Sequence, residues 1–302
     1  MDRIKAMQTF VRIVEAGNFS RAAESLGLPR ASLTATMQNL EAYLGTRLLQ
    51  RTTRAVSLTA DGAEFHTRCV EILAAVDAAE GRFRGGGGEP RGRLRIALPG
   101  AVGRRVVVPR LAEFQAQFPA VELVVGLGDR LVDLVKEGID CALRVGELED
   151  SSLVARRVGT MRFATCAAPG YLAVHGRPER IEDLDRHHGV LHYSGRSSRP
   201  FDWDFLVDSV LVRRRLPGSI AVNDADAYVS CGLQGLGLIQ AATYQVHPHL
   251  ASGALVEVLA NFPGAPMPVS IVYPQGRMAT PKLRAFAGWL ESLLAADPHL
   301  RP

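Results

Sequence analysis

The chain has no run of apolar residues long enough to cross a bilayer, so no membrane partner is expected. Its opening, MDRIKAMQTF, carries charges and helical periodicity where a signal peptide would need a plain apolar block, and the expected location is cytoplasmic. Cysteine is scarce: Cys69, Cys141, Cys166 and Cys231 lie far apart, with no C-x-x-C pair and no histidine at metal-ligand spacing. They read as buried thiols in a reducing compartment, a redox-sensing pair being the alternative. Enzyme signatures are missing too, with no G-x-S-x-G, no H-E-x-x-H, no Walker loop and no G-x-G-x-x-G after a strand. Gly235-Leu236-Gly237 lacks the later glycine and precedes a strand. His187, His188 and His192 invite a metal assignment, and Glu182, Asp183 and Asp185 sit close by, but the carboxylates read better as a solvated helix face. No catalytic centre, metal or cofactor is expected.

What is present describes a soluble globular protein of two or three domains: 302 residues, 47% hydrophobic and 22% charged. A net charge of +4 and a pI near 9.0 permit a polyanionic partner. The excess sits at one end, because residues 1–60 hold eight basic side chains (Arg3, Lys5, Arg12, Arg21, Arg30, Arg47, Arg51, Arg54) against four acids (Asp2, Glu15, Glu24, Glu41).

In that end, residues 2–16 predict a first helix with Ile4, Met7, Phe10, Val11 and Val14 on one face and Gly17 as its stop. Ser20–Glu41 then reads as two short helices broken at Gly27. Ser20 is the expected N-cap, Ala22, Ala23 and Leu26 form the first apolar stripe, and Pro29 suits the start of the next helix. Leu33, Met37, Leu40 and Leu44 recur at spacings of four, three and four, and Gly45 ends the run. Ala23, Gly27 and Leu33 have the spacing of a DNA-binding helix-turn-helix, the alternative being an αα-hairpin inside an ordinary helical domain. With the leucine face turned inward, Arg30, Thr34, Ala35 and Gln38 face out.

Two short extended runs follow, Leu48 to Arg51 and Ala55 to Leu58, joined through Thr52-Thr53-Arg54. As a two-stranded wing beside the second helix, this hairpin is suited to grip phosphates with guanidinium forks and hydroxyls; in isolation it would read as a solvated charged turn. Thr59 caps a long helix running to about Phe83, with Asp61 favourable at its positive end. Its stripe of His66, Val70, Leu73, Val76 and Phe83, with Cys69 and Ile72 beside it, exceeds what the hairpin can cover, so it is expected to pair with a second copy. Gly85 to Gly88 then reads as a flexible linker; a phosphate-cradling loop is disfavoured, since no strand precedes it and no Gly-Lys-Ser/Thr follows.

Phe10 to Gly62 closely resembles the N-terminal segment of LysR-type transcriptional regulators. The resemblance is carried by Phe10, Val14, Asn18 and Phe19, the Ala22-Ala23 pair, Leu40-Glu41, the wing residues Leu44, Gly45, Leu48 or Leu49 and Arg51, and Leu58-Thr59. It continues through nearly the whole chain. The family commonly shows Ser, then Arg or Lys, then Gln where this chain has Thr34, Ala35 and Thr36; the missing basic side chain at Ala35 affects operator sequence, and Arg30 is placed to take part of that role. The resemblance implies a double-stranded operator or promoter DNA, a small-molecule effector (an organic acid or an aromatic compound), a homodimer through the linker helix that assembles further into a tetramer, and contact with RNA polymerase. Thr34, Gln38, Arg30 and Ser32, with Ala35 beside them, are expected at base edges. Ser20, Arg21, Arg51, Thr53 and Arg54 are expected at phosphates or the minor groove.

Beyond the linker, the pattern turns to alternation: strands at Arg93 to Leu98, Val121 to Leu127 and Cys141 to Val145, with helices at Gly103 to Gln117 and Asp129 to Glu137. Such units imply a parallel sheet with ligands outside the carboxyl ends of its strands. A second unit follows, with strands near Gly189 to Tyr193, Leu211 to Arg215, Ser219 to Asn223 and Gly237 to Gln240 and a helix from Asp224 to Leu233; strand Pro268 to Tyr273 and helix Thr280 to Ala295 close the chain. The resemblance implies that these last elements return to the first lobe, giving the two-lobed fold of periplasmic solute-binding proteins with one hinged cleft. Pro99, Gly100, Ala101 and Val102 are expected to offer backbone amides to an anionic group, although the hydroxyl residue common in the family is absent there. Gly126, Arg144, Ser194, Asn223 and Asp224 face the same cleft. Arg144 reads equally as an ion-pair partner, Asn223-Asp224 as a helix cap, and Phe201 and Trp203 as core.

The expected class is therefore α/β overall: a winged helix-turn-helix over 1–59, a linker helix and hinge over 60–92, and a regulatory domain over 93–302, with lobe I at 93–166 and 268–302 and lobe II at 167–267. The competing reading is a solute-binding or degenerate enzyme-like two-lobed protein whose N-terminal helices serve assembly only.

Overall fold

The computed structural model describes residues 1–51, 56–83, 89–135, 137–148, 153–193, 199–274 and 280–302. The chain divides into two compact units, one centred on Met1–Gly88 and one holding Glu89–Asp133, Ile139–Gln275 and Pro281–Pro302.

In the first unit, α1 (Arg3–Ala16) starts where Asp2 accepts the Lys5 amide at 3.1 Å. Helix α2 (Phe19–Leu26) begins one residue before the expected cap. Asn18 is the N-cap and takes the Ser20 amide at 2.7 Å, so its side-chain carbonyl does the work expected of the Ser20 hydroxyl. Gly27 has φ +63, the left-handed turn that lets α3 (Arg30–Leu44) leave at an angle. Ala6, Phe10, Ile13, Phe19, Ala22, Ala23, Leu33, Met37 and Leu40 close into one core. Strands β1 (Leu49–Arg51) and β2 (Val56–Leu58) pair antiparallel, Arg51 opposite Val56, while Thr53 and Arg54 lie outside the described residues. Glu41, near the end of α3, accepts the amides of Leu48 and Leu49 at 2.8 and 3.1 Å, which locks the wing to the helix.

Helix α4 (Ala60–Phe83) starts where the Thr59 hydroxyl accepts the Gly62 amide at 2.9 Å. Part of the stripe assigned to a second copy is used at home: Cys69 is fully buried in the helix-turn-helix core and Phe65 packs against it. Val70, Leu73 and Val76 stay half-buried and Ile72 is exposed. Gly62 is where α4 touches the wing, and a Cβ there would stand 1.9 Å from the Leu48 carbonyl oxygen. Gly62→Ala is therefore expected to cost about 1–3 kcal/mol, read as a lowered urea midpoint; an unchanged midpoint would show that the wing yields freely.

The second unit begins with β3 (Gly92–Leu98), then α5 (Gly100–Val102), a π-turn over Gly103–Val107, a 3₁₀ turn over Val108–Arg110 and α6 (Leu111–Gln117). One continuous helix was expected over most of this span. Gly103 packs so closely that a Cβ would lie 2.3 Å from Leu127 Cδ2, and Pro109 has no amide to donate, so the chain passes through the wider and tighter turns instead. Strands β4 (Val121–Leu127) and β5 (Cys141–Val145) match the expectation, both parallel to β3. The helix expected from Asp129 is absent from the described residues between these strands. Asp129 accepts the Gly100 amide at 2.9 Å and the Val132 carbonyl accepts from Arg144 at 3.2 Å, ties that replace a helix's own hydrogen bonds.

Next come β6 (Leu153–Ala167), α7 (Pro169–His175), β7 (Leu191–His192), β8 (Trp203–Val207), β9 (Val210–Arg214), β10 (Ala221–Val222), α8 (Ala225–Leu233), β11 (Ile239–Ala242), α9 (Thr243–Ala251), β12 (Val256–Val258), β13 (Gly264–Pro274) and α10 (Pro281–Ala296). Among the described residues, nine strands share one sheet whose spine runs β11-β6-β13-β5-β3-β4. Long strands β6 and β13 pair antiparallel from Leu153↔Pro274 to Phe163↔Gly264, so they are the two crossings between the lobes, side by side in one ladder. The first lobe is the parallel β4-β3-β5 group with α10, whose Phe286 and Trp289 meet Phe114 at 5.6 and 5.3 Å between ring centres. The second lobe has two cores, one around Tyr171, Trp203 and Phe205 and one around Cys166, Tyr228 and Ile239.

Candidate functional site

The outer face of α3 is set by its inner one. Leu33, Met37 and Leu40 are buried, which turns Arg30, Ser32, Ala35 and Gln38 to the surface, with Thr34 half-buried between them. The Thr34 hydroxyl donates to the Arg30 carbonyl at 3.1 Å and keeps its lone pairs outward. Arg21 is exposed on α2 and Ser20 half-buried at its start, while Arg51 closes β1. The exposed face of α3, with Arg21 exposed on α2, offers amide, hydroxyl and guanidinium groups to a polyanion.

In the second unit a cavity of about 430 Å3 opens between the lobes, a size that suits a small organic molecule. Of the expected residues, Pro99, Ala101, Val102, Arg144 and Asn223 line it. Gly100, Gly126 and Asp224 are not among its lining: the Gly100 amide is committed to Asp129, Gly126 pairs with Ala97 inside the sheet, and Asp224 caps α8 through the Ala227 amide at 2.8 Å. Ser194 lies outside the described residues. Met161 and Phe163 from β6, His192, Tyr228, Gln240 and Gln245 also line it, none of which sequence reasoning had assigned to the cleft. Trp203 is buried, with one side on the cavity; Phe201, expected in the core, is 52% exposed, because its amide is held by the His192 carbonyl at 2.8 Å and its ring lies beside that imidazole.

One edge of the cleft carries a cluster of charges. From the π-turn, Arg104 Nε donates to Asp226 at 2.8 Å and its Nη2 to Asp224 at 3.0 Å, while Arg105 Nε reaches Asp226 at 2.7 Å. Burial works to raise the Asp226 carboxyl, yet hydrogen bonds from Arg105 and Arg104 outweigh it and hold it below the usual carboxylate range. This clamp ties the π-turn of the first lobe to the start of α8 in the second.

Burial lowers His192, against the pull of Asp129 and Asp224, and its ring stacks on Tyr228 at 5.2 Å. Burial, and then neighbouring His175, lower His187, whose Nδ1 meets the Tyr171 hydroxyl at 3.2 Å. Both imidazoles are thus harder to protonate folded than unfolded, where histidine titrates near about 6.5. Stability from this source is whole above that pH and drains away as pH falls through it toward the lowered folded values. The melting temperature is expected to drop between about pH 7.5 and about pH 5.5, and less so in His187→Gln; a flat profile would contradict the shifts. Burial pushes the Cys69 and Cys166 thiols up to about 12, which keeps these two protonated and unreactive.

Family profiles match both units. Residues 4–63 fit the bacterial regulatory helix-turn-helix protein, lysR family, and residues 87–295 fit the LysR substrate binding domain. A protein named an HTH-type transcriptional repressor from Pseudomonas aeruginosa is 36% identical over 301 residues, covering 100% of this chain and 95% of its own. The HTH-type transcriptional activator AaeR of Escherichia coli is 31% identical, covering 91% of this chain and 88% of its own. The solved structure of CrgA, a LysR-type transcriptional regulator from Neisseria meningitidis, superposes with a TM-score of 0.60 at 30% identity, covering 95% of this chain and 97% of that one. With both profiles matched in order and relatives aligned along nearly its whole length, the chain belongs to the LysR family of DNA-binding transcriptional regulators and is not an enzyme.

Proposed function

We propose that the protein works in the cytoplasm as a dimer paired through α4, lays the outer face of α3 in the major groove of its operator, and answers a small molecule held in the inter-lobe cavity. Gln38, Thr34, Arg30 and Ser32 read base edges, with Ala35 against a thymine methyl; Ser20, Arg21, Arg51, Thr53 and Arg54 hold the backbone. The observation that carries this reading is the contrast along α3, where Leu33, Met37 and Leu40 are wholly buried while Arg30, Ser32, Ala35 and Gln38 stand free on the other side. Val70, Leu73 and Val76 remain for a partner's α4 after Phe65 and Cys69 are used in the unit's own core. An effector that changes the lobe clamp would alter the angle between paired DNA-binding units, and through it the bend of the operator and contact with RNA polymerase. A mobility-shift titration with the DNA just upstream of the protein's own gene, against a scrambled duplex of equal length, tests it. Preferential retention of the upstream fragment is expected, and equal affinity for both would refute sequence-specific binding there.

A further inference from the structure

The charges on the cavity wall narrow what it takes, given the reading of that cavity as the effector's seat. An anionic ligand in the first lobe would need open amides at the start of α5, but this helix has three residues and its first amide already serves Asp129. Asp129 thereby fills, from within the chain, the place a ligand carboxylate would take. The wall further carries Asp202 and Asp204, so carboxylates there outnumber the guanidinium of Arg144. Asp202 and Asp204 do pair with Arg215 and Arg213, at 2.8 and 3.2 Å, yet these guanidiniums are 75% and 67% exposed, where water and salt screen them.

Flat rings line the same cavity. Tyr228 and Trp203 are buried in its wall, and His192 stacks on Tyr228. His192 Nε2 is buried without a hydrogen-bond partner among the described residues, and in one neutral tautomer it accepts an N–H. Aromatic faces beside carboxylates attract a cation and repel an anion.

We infer that the cavity takes an aromatic amine in its ammonium form, with its ring against Tyr228 and Trp203 and its nitrogen toward Asp129 and His192 Nε2. This keeps the aromatic body and departs from the organic acid, the two effector classes that the family resemblance implies. Isothermal titration of the full-length protein with 2-phenylethylamine, 2-phenylethanol and phenylacetate, which share one body and differ in charge, tests it. The amine is expected to bind at least roughly tenfold more tightly than the alcohol, with the acid weakest. Asp129→Asn, which keeps an acceptor for the Gly100 amide, should weaken the amine by roughly ten- to a hundredfold and leave the alcohol unchanged. Alcohol or acid binding as well as the amine, no binding by any of the three at millimolar concentration, or an Asp129→Asn variant that keeps full amine affinity would each overturn the inference while leaving the cavity open to another effector. Amine binding untouched by Ala242→Leu, which fills the lining at that point, would put the ligand elsewhere and so defeat the cavity reading as well.

Discussion

Replacing Gln38 with alanine is expected to reduce affinity for the operator by roughly ten- to a hundredfold and to leave unrelated duplexes nearly untouched, because an amide paired to a base edge is worth about 1–3 kcal/mol of discrimination. Gln38 is exposed one turn beyond Thr34 on the face that Leu33, Met37 and Leu40 leave outside. Arg51→Ala should behave differently. A phosphate contact has no sequence preference, so operator and random DNA should weaken alike and the salt slope should fall by about one per site. Affinities of both variants on both duplexes over a salt series check this, and equal losses on cognate and random DNA for both variants would refute the division between reading and gripping.

Phe10→Ala is expected to remove about 3–5 kcal/mol from the first unit. Its ring is fully buried, 5.7 Å from Phe65 and 6.0 Å from His66, so it joins α1 to α4 and its loss leaves a cavity between them. Both tryptophans, Trp203 and Trp289, lie in the second unit, so fluorescence follows that unit alone. Thermal melts of the variant should show the helical circular-dichroism signal lost early, with the tryptophan transition in place. A tryptophan transition displaced by the same amount would mean that the two units unfold together.

The helical half was readable because local signals there agree with each other. Apolar spacing and glycine stops mark α1, α2 and α3, and short polar caps open the first two; only the α2 cap moved, from Ser20 to Asn18, since either side chain can take an amide two residues on. The second unit was legible where periodicity is strong, at β3, β4 and β5, and obscure where tertiary contacts decide. Strand β6 was missed because its first third, Leu153–Arg157, carries two arginines and is mostly exposed, so no apolar run marks it. The β8–β9 hairpin was half seen: it turns through Asp208 and Ser209, at φ 47 and 66, without the glycine that usually flags such a turn. For the cavity, the loops were found and most of the wall was not. Met161, Phe163, His192 and Tyr228 come together only once β6 crosses between lobes and α8 packs on β11, a convergence no short motif records. Arg104 and Arg105 carry no sequence signal, because only the π-turn aims them at Asp224 and Asp226, more than a hundred residues away.

Methylation interference on the operator puts the central claim to its most direct trial, since dimethyl sulfate places a methyl on guanine N7, in the groove that α3 is proposed to occupy. Binding should be blocked by methyl groups clustered in two half-sites whose spacing reflects a dimer, and Gln38→Ala should ease the block at one position in each half-site. Retention that ignores the methyl groups altogether would mean that this helix face does not enter the major groove.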